Sequence, residues 1–365
     1  MNPYTIYGDV TCGKTLHQFM DALKQPYVVS GSLMPDAHYG YSLPIGSAVM
    51  TEGAVVPAWV GYDIGCGVTS WRFNIKKDVI LPHLQDIYND IMAEIPVGGA
   101  IHDKADSSKF LNHKMEGLSK YMQGLYDDKA IRGLGTLGGG NHFIELGYDG
   151  DDNVCLTIHS GSRGFGHSVA TYHMANAADS VKPLEGHFAY TKDEDIRLYM
   201  EDVSFTTWFA QLNRYRMALR VRDIVARYSV PLSHTSIANC VHNEVTAVIA
   251  NRYIHRKGST MAMENQPVLI PANMRDGVII GAGLGNKGSL LSCSHGAGRL
   301  LSRSEAKLQL TQSDFEKAMT GIVCNLTGKL DEAPDAYKDI GEVMKAQDLN
   351  VRIVDLIIPL INVKG

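Results

Sequence analysis

Alternating apolar and polar positions predict strands in several parts of the chain. Residues 40–75 pass repeatedly between short β-like apolar runs and turns that contain Gly or Pro. In "NVCLTIH", Val154, Leu156 and Ile158 alternate with less apolar residues, which predicts a strand ending at His159. The closing stretch "VRIVDLIIPLINV" is also typical of strands.

Helical periodicity marks other segments of the chain. Residues 104–127 have apolar positions at helical spacing, and residues 205–229 are also expected to be helical. The apolar side of the first of these helices would contain Phe110, Met115, Leu118 and Met122. Further along, Ser313 and Glu316 predict a capping box, and Pro334 followed by Asp335 predicts a first helical turn.

Composition and organisation favour one large catalytic domain over residues 1–365. The chain is 45% hydrophobic and 20% charged, so it can bury a large core. Helix and strand signals are interspersed, and the residues suited to chemistry are scattered from 63 to 364. A formal net charge of −5 argues against broad, nonspecific coating of nucleic acid but leaves room for a local basic groove.

The N-terminal residues and the cysteines predict a cytoplasmic protein that does not enter a membrane. "MNPYTIYGDV" lacks the charged and then apolar pattern of a signal peptide, and no apolar run approaches the roughly 18 residues of a membrane span. The six cysteines form no CxxC pair and are expected to be reduced thiols.

One cysteine has an unusual setting. In "VGYDIGCGVTSW", glycines at 61, 65 and 67 permit a tight turn that would bring Asp63 and Cys66 to one point. A thiolate beside a carboxylate is electrostatically unfavourable unless a positive charge lies between them. The turn therefore predicts a site for a divalent cation.

Four of the 14 histidines stand in segments suited to the same chemistry. These segments are "GTLGGGNHFIEL", "HSGSRGFGH", "CVHNEV" and "HGAGR", which carry His142, His159, His242 and His295. Glycine-rich backbone can bind phosphate, and imidazoles with Asp63 and Cys66 could hold two divalent cations if Cys66 bridged them. Thiolate and imidazole suit Zn²⁺ best, whereas Mn²⁺ also accepts mixed nitrogen and oxygen ligands. The pattern predicts metal-dependent phosphoryl transfer.

Seven segments in sequence order also resemble the motifs of RtcB-type RNA ligases. The resemblance runs from about residue 34 to the last residue, and the chain looks like a shorter bacterial member of that family. The matching segments are "MPDAHYGYSLPIGSAV", "VGYDIGCGV", "GTLGGGNHFIEL", "HSGSRGFGH", "VHNEV", "HGAGRLLSR" and "VKG".

The resemblance implies a fold, an activity and partners. The fold would be α+β, with central β-sheets flanked by helices in a single domain. The activity would be GTP- and Mn²⁺-dependent joining of RNA 3′-phosphate or 2′,3′-cyclic phosphate ends to 5′-hydroxyl ends, through a covalent histidine-GMP intermediate. This reaction serves RNA repair or tRNA ligation. The partners would be RNA and GTP, and the need for an activating protein stays open.

The resemblance also implies a role for individual residues. His295 would carry GMP. Asp63, Cys66 and His142 would hold one manganese, and Cys66, His159 and His242 the other, with Zn²⁺ as an inhibitory or adventitious occupant. GTP would be contacted by Asn141, His142, Phe143, Ile144, Glu145, His242, Asn243, Pro271, Ala272, Asn273, Met274, His295, Gly296, Ala297, Gly298 and Lys364. Glu145 and Lys364 would read the guanine edge, and RNA or phosphate would be contacted by Arg163, Arg299 and Arg303.

Two features qualify this reading. Arg275, Asp276 and Val278 replace a glycine-serine stretch expected after "PANM", so Val278 stands where a serine contact to GMP would be expected. The arginine-rich stretch 213–229 could form an RNA backbone track, although such runs are more often solvated helix faces.

Two other functions remain open on the sequence alone. A two-metal phosphohydrolase or nuclease would use the same ligands but leave His295 unexplained. An inactive RNA-binding relative would be expected to have lost ligands, and all five are present.

Overall fold

A computed structural model describes residues 2–10, 13–105, 118–126, 128–178, 186–229, 231–249 and 251–365. Within these ranges the strands are β1 (Tyr4–Ile6), β2 (Val28–His38), β3 (Ile45–Glu52), β4 (Gly67–Lys76), β5 (Phe143–Tyr148), β6 (Asn153–Ser160), β7 (His234–Val241), β8 (Asn243–Ala247), β9 (Arg252–Lys257), β10 (Ser259–Met261), β11 (Pro267–Pro271), β12 (Val278–Gly283), β13 (Ser292–Ser294), β14 (Val323–Cys324) and β15 (Val351–Lys364). The helices are α1 (Gly13–Leu23), α2 (Leu84–Glu94), α3 (Lys120–Leu125), α4 (Asp128–Arg132), α5 (Arg163–Ala178), α6 (Asp193–Val225), α7 (Arg303–Gln309), α8 (Gln312–Ala318) and α9 (Ile340–Ala346).

The strands form two main sheets and a short ribbon. The larger sheet has the order β11-β12-β15-β5-β6-β4-β7, with β14 paired to β15. The smaller sheet has the order β1-β2-β3-β9-β8, and β10 pairs with β13. Helices α2 and α6 pack on the larger sheet over an apolar core that includes Ile87, Ile158 and Val221. This mixed architecture confirms the α+β prediction, and the single domain stays a prediction.

The register of the larger sheet gathers distant residues at one edge. His159 pairs with Phe143 on one side and with Val68 on the other. Gly67, next to Val68, pairs with Val241. The residues just outside these paired positions are therefore neighbours in space: Cys66 before β4, His142 before β5 and His242 after β7.

Most of the predicted elements are confirmed. The strand ending at His159 is β6, and the closing apolar stretch is the single strand β15. The helix expected at 205–229 is part of α6, which begins at Asp193 and ends at Val225. Pro334 begins a short 3₁₀ turn, Pro334–Ala336. The strands expected within 40–75 are β3 and most of β4, which runs to Lys76.

Two local predictions need correction or fall partly outside the described ranges. The capping box is formed by Ser302 and Glu305 at α7, and not by Ser313 and Glu316. Helix α8 is instead capped by Thr311, whose hydroxyl accepts from the amide of Asp314, because the helix begins two residues earlier than predicted. Of the helix expected at 104–127, α3 is present, whereas Phe110 and Met115 lie outside the described residues. None of the described helices combines the length and apolarity needed to span a membrane.

Candidate active site

The turn between residues 60 and 66 places an acid and a thiol side by side. Gly61 and Gly65 have φ angles of 88° and 75°, in the left-handed region that favours glycine. A Cβ at Gly65 would lie 2.7 Å from the Cα of Thr207, so the turn packs directly against α6. The amide of Cys66 donates to the carbonyl of Asp63, which closes the turn. The predicted convergence of Asp63 and Cys66 is thereby present.

Two groups of three potential metal ligands share Cys66. The ligand atoms of Asp63, Cys66 and His142 lie within 4.8 Å of one another, as do those of Cys66, His159 and His242. Cys66 Sγ is 3.4 Å from both His142 Nε2 and His159 Nε2. His142 Nε2 is 3.1 Å from Asp63 Oδ2, and His159 Nε2 is 3.3 Å from His242 Nε2. We call these five residues the ligand cluster.

Burial sets the protonation of the ligand cluster. Burial lowers the pKa of His159 and of His242 well below the usual range, and neighbouring imidazoles add to this, so both rings are neutral at pH 7. Burial raises the pKa of the Cys66 thiol, and the Asp63 charge raises it further. Burial also works against ionisation of Asp63, but the hydrogen bond and charge of His142 outweigh it and lower the pKa to about 2.

The chemistry of these donors fits bound cations. His142 Nδ1 lies 3.0 Å from the carbonyl oxygen of Leu137, which can only accept, so Nδ1 carries a proton, and a cation at Nε2 would replace the proton that Nε2 otherwise donates to Asp63. His159 and His242 present Nε2 atoms to each other, an arrangement that a cation between them would stabilise. A cation would also favour the Cys66 thiolate, which burial alone disfavours.

Helix α6 supports the ligand cluster from behind. Arg214 is fully buried and donates to the carbonyls of Gly65 at 3.0 Å and Ser160 at 2.8 Å. The side chain of Asn213 accepts from the amides of Gly135 and Thr136. The Arg214 bonds fix the turn before β4 and the end of β6, and the Asn213 bonds fix the segment that leads into β5. Because Arg214 is buried, the arginine-rich stretch 213–229 does not form a continuous RNA track, and the helix face that carries Arg214 is not solvated.

A cavity of about 270 Å³ opens beside the ligand cluster. Among its lining residues are many predicted to contact GTP: Asn141, Phe143, Glu145, Pro271, Ala272, Asn273, Met274, His295, Gly296, Ala297, Gly298 and Lys364. The cavity is also lined by Arg299, Arg303, His159, His38, Ile45, Tyr337 and Asn362. Its mixture of apolar walls and a few converging polar groups is typical of a small-molecule site.

His295 stands where the cavity meets the ligand cluster. Its ring centroid is 4.8 Å from that of His242. Its Nδ1 lies 2.7 Å from Asp36 Oδ2, and its backbone amide donates to the same oxygen at 3.1 Å. Asp36 is fully buried at the end of β2. Because Asp36 engages Nδ1, the Nε2 atom of His295 is left for chemistry.

A buried polar network closes the far wall of the cavity. Glu145 Oε2 accepts from Asn362 at 3.0 Å, while its Oε1 is buried without a hydrogen-bond partner among the described residues. Burial raises the pKa of Glu145 to about 8. Glu332 accepts from Lys364 at 2.9 Å and from the Tyr337 hydroxyl at 2.5 Å.

Several predicted contact residues have other roles. Ile144 points into the core, because side chains alternate across β5 and its neighbours Phe143 and Glu145 face the cavity. The side chain of Asn243 donates to the carbonyl of Asp63 at 3.1 Å and so supports the turn. His142 and His242 belong to the ligand cluster rather than to the cavity lining.

The charged residues after "PANM" do not face the cavity. Arg275 pairs with Asp276 at 2.7 Å, and Asn273 bonds Asp276 within the same turn. Val278 is buried in the core at the start of β12, opposite Pro271. The departure from the expected sequence therefore leaves the cavity lined by the "PANM" segment itself.

The three predicted phosphate-binding arginines separate into two places. Arg299 and Arg303 line the cavity and pair with Glu332, at 3.4 and 2.8 Å. Arg163 begins α5 and donates instead to Gly98 and Thr136, beside another cavity.

Asp36, Glu332 and Tyr337 were missed in the sequence. Asp36 stands in the "MPDAHYG" motif, which was the available signal. Glu332 and Tyr337 fall in "DEAPDAY", and no local pattern in this segment indicates that it lines a cavity with residues distant in the sequence.

Known proteins match the chain over nearly its whole length. A family model described as tRNA-splicing ligase RtcB matches residues 18–127 and 115–365. The RNA-splicing ligase RtcB of Escherichia coli K12 is 32% identical, over 95% of this chain and 93% of that protein. The tRNA-splicing ligases RtcB of Pyrobaculum aerophilum and Thermococcus kodakarensis are 28% and 27% identical, over 94% and 91% of this chain and 90% and 86% of those proteins.

Proposed function

Because the chain belongs to the RtcB family and is an RNA ligase, we propose that it uses GTP and Mn²⁺ to join RNA ends. A 3′-phosphate or 2′,3′-cyclic phosphate end would be joined to a 5′-hydroxyl end through GMP held on His295. The E. coli relative is named as an RNA-splicing ligase and the archaeal relatives as tRNA-splicing ligases. Broken RNA or tRNA is therefore the proposed substrate, and the cytoplasm, where buried thiols stay reduced, the proposed location.

The observation that carries the proposal is the contact between His295 and the ligand cluster. The His242 and His295 ring centroids are 4.8 Å apart, so a phosphoryl group on His295 would lie next to the cations. Two Mn²⁺ ions held by the ligand cluster would supply positive charge to oxygens that become more negative during transfer.

The proposed reaction consists of three displacements at phosphorus, and His295 is the nucleophile of the first. The lone pair of His295 Nε2 attacks the α-phosphorus of GTP, a nitrogen–phosphorus bond forms, and pyrophosphate leaves. An oxygen of the RNA 3′-phosphate then attacks the same phosphorus and releases His295; a cyclic end first adds water, which breaks its bond to the 2′-oxygen and leaves the 3′-phosphate. Finally the RNA 5′-hydroxyl attacks the activated 3′-phosphate, loses its proton and displaces GMP.

Glu145 supports the choice of guanine. Its Oε1 is buried, unpartnered among the described residues and on the cavity wall. A carboxylate there could accept from guanine N1–H and the exocyclic amine, which adenine does not offer in this arrangement. Lys364 lies on the same wall, held by Glu332.

Incubation with Mn²⁺ and GTP radiolabelled on its α-phosphate tests the proposal. A ligase of this kind acquires an acid-labile label on histidine, whereas a two-metal phosphohydrolase acquires none. The label decides between the two, because a His295 oriented by buried Asp36 could act as a nucleophile in a ligase or as a general base in a hydrolase.

Asp36→Asn is expected to slow guanylylation about 100-fold or more. The amide cannot replace the carboxylate as a charged acceptor for Nδ1–H, so His295 loses its preferred tautomer and the stabilisation of its charge. Rapid-quench labelling at several GTP concentrations should show a lower maximal rate with little change in the GTP concentration at half-maximum. A weakened GTP affinity at unchanged maximal rate would contradict the positioning role.

The affinity for GMP is expected to rise about fivefold between pH 7 and pH 8, and about tenfold in all by pH 9. Burial raises the pKa of Glu145 to about 8, so the free carboxyl is mostly protonated at pH 7. Guanine binds the carboxylate form of Glu145, so binding at pH 7 releases the proton of this carboxyl group. The gain in affinity is complete at pH values above the raised pKa. Competition binding should show this slope in the wild type and a flat, weaker profile in Glu145→Gln. An equal slope in both proteins would exclude Glu145 as its source.

A further inference from the structure

Three aromatic side chains form a continuous surface next to the ligand cluster. The Tyr62 ring stacks on His167, with 4.6 Å between centroids and 12° between planes. Tyr41 meets Tyr62 edge-on, with centroids 5.3 Å apart. Tyr41 is 47% exposed, and His167 is also exposed. We call these three residues the aromatic platform; its central member, Tyr62, directly precedes Asp63.

The aromatic platform is held in place by bonds on both sides. Asp63 Oδ1 accepts from the amide of Ser162 at 3.0 Å, which ties the turn carrying Tyr62 to the start of α5, the helix of His167. Gln18 bonds the backbone amide and carbonyl of Gly40, next to Tyr41. A ligand that stacks here would meet rings that are already ordered, which lowers the entropic cost of binding.

Two basic side chains, Arg163 and Lys257, flank the aromatic platform. Arg163 lies one turn before His167 on α5, donates to Thr136 and Gly98, and has its pKa lowered by burial, an effect that the charge of Asp63 partly offsets. Lys257 Nζ is 6.0 Å from the centroid of the Tyr41 ring and 3.5 Å from the carbonyl of Ala58, and burial lowers its pKa to about 7, so it is partly protonated near neutral pH. Aromatic rings beside basic side chains are typical of sites that bind single-stranded nucleic acid.

We propose that the aromatic platform stacks the nucleobase of the RNA nucleotide next to the break. The inference rests on the proposed function, because an RNA phosphate at the ligand cluster would place its own or the adjoining nucleotide beside Tyr62. Stacking is tolerant of sequence, since every base offers a π face. An enzyme that repairs different broken RNAs needs recognition of this kind.

Binding of short, fluorescently labelled single-stranded RNA tests the aromatic platform. One RNA carries a 3′-phosphate, and a second carries a 5′-hydroxyl and no 3′-phosphate; both are titrated with Mn²⁺ and without GTP. Tyr41→Ala and His167→Ala are each expected to weaken binding of one of the two RNAs at least about fivefold, whereas Tyr41→Phe retains the ring and most of the affinity. The RNA that is affected identifies the side of the break.

Tyr4→Ala provides the matched control. Tyr4 is 42% exposed and meets Phe19 edge-on, so it resembles Tyr41 in exposure and packing but belongs to the edge strand β1. Its loss should leave RNA binding unchanged. An RNA with an abasic terminal nucleotide adds a second measurement. If stacking is correct, the wild type binds it less tightly and Tyr41→Ala causes no further loss.

Two results would overturn the inference. One is wild-type affinity of both Tyr41→Ala and His167→Ala for both RNAs. The other is an equal loss in Tyr41→Ala for intact and abasic RNA, which would show that the ring acts without the base. If either result is obtained and the wild type still acquires the GMP label, only the aromatic platform is rejected and the proposed function stands. If the wild type acquires no GMP label, the proposed function itself is rejected.

Discussion

His295→Ala is expected to abolish the covalent GMP adduct, to below about 1% of the wild-type label. The ring supplies the nitrogen that attacks GTP, and the side chain left by the substitution has no nucleophile. In the wild type, His295 Nδ1 contacts Asp36 and the ring lies against His242. This imidazole therefore lies where the cavity meets the ligand cluster. The measurement is acid-labile label retained on the denatured protein after incubation with radiolabelled GTP and Mn²⁺.

His83→Ala is the control for this experiment. His83 is a partly exposed histidine that packs on Tyr228, and it should label like the wild type. Joining of RNA ends should disappear together with the label in His295→Ala. Persistence of the label in His295→Ala would show that another residue carries the nucleotide.

Cys66→Ala is expected to reduce both Mn²⁺ binding and GMP labelling by more than about 100-fold. Both groups of ligands contain Cys66, so the substitution removes a donor from each of the two cation positions. The remaining groups would be Asp63 with His142 and His159 with His242, which are pairs rather than closed sites. The measurements are the number of Mn²⁺ ions bound at equilibrium and the label acquired from GTP.

Cys324→Ala controls for general loss of a thiol. Cys324 is a free, half-buried cysteine in β14, and its removal should leave two ions and the label in place. If Cys66→Ala still bound two ions and formed the adduct at the wild-type rate, the shared role of this thiol would be wrong.

The residues of the ligand cluster could be identified from sequence because each has a local signature. Asp63 and Cys66 occur in one glycine-rich turn, and His159 ends an alternating strand. Their grouping could not be obtained from such patterns, because it depends on the pairing of β4, β5, β6 and β7. The resemblance to a family supplied that grouping.

Residues that act through long-range packing were harder to predict. Asp36 reaches His295 across 259 positions of sequence, and no local period connects them. Arg214 stands in a helix among other arginines, and only the packing of α6 shows that it is buried behind the turn of Cys66. Capping was misassigned for a different reason: Ser302-x-x-Glu305 and Ser313-x-x-Glu316 have the same spacing, and only the helix starts distinguish them.

The most direct test of the account is anomalous diffraction at the manganese absorption edge from crystals of the protein grown with Mn²⁺. The account predicts two peaks on opposite sides of Cys66 Sγ, one against Asp63 and His142 and one against His159 and His242, with the second also close to His295. A single peak, or two peaks of which neither contacts Cys66, would contradict it.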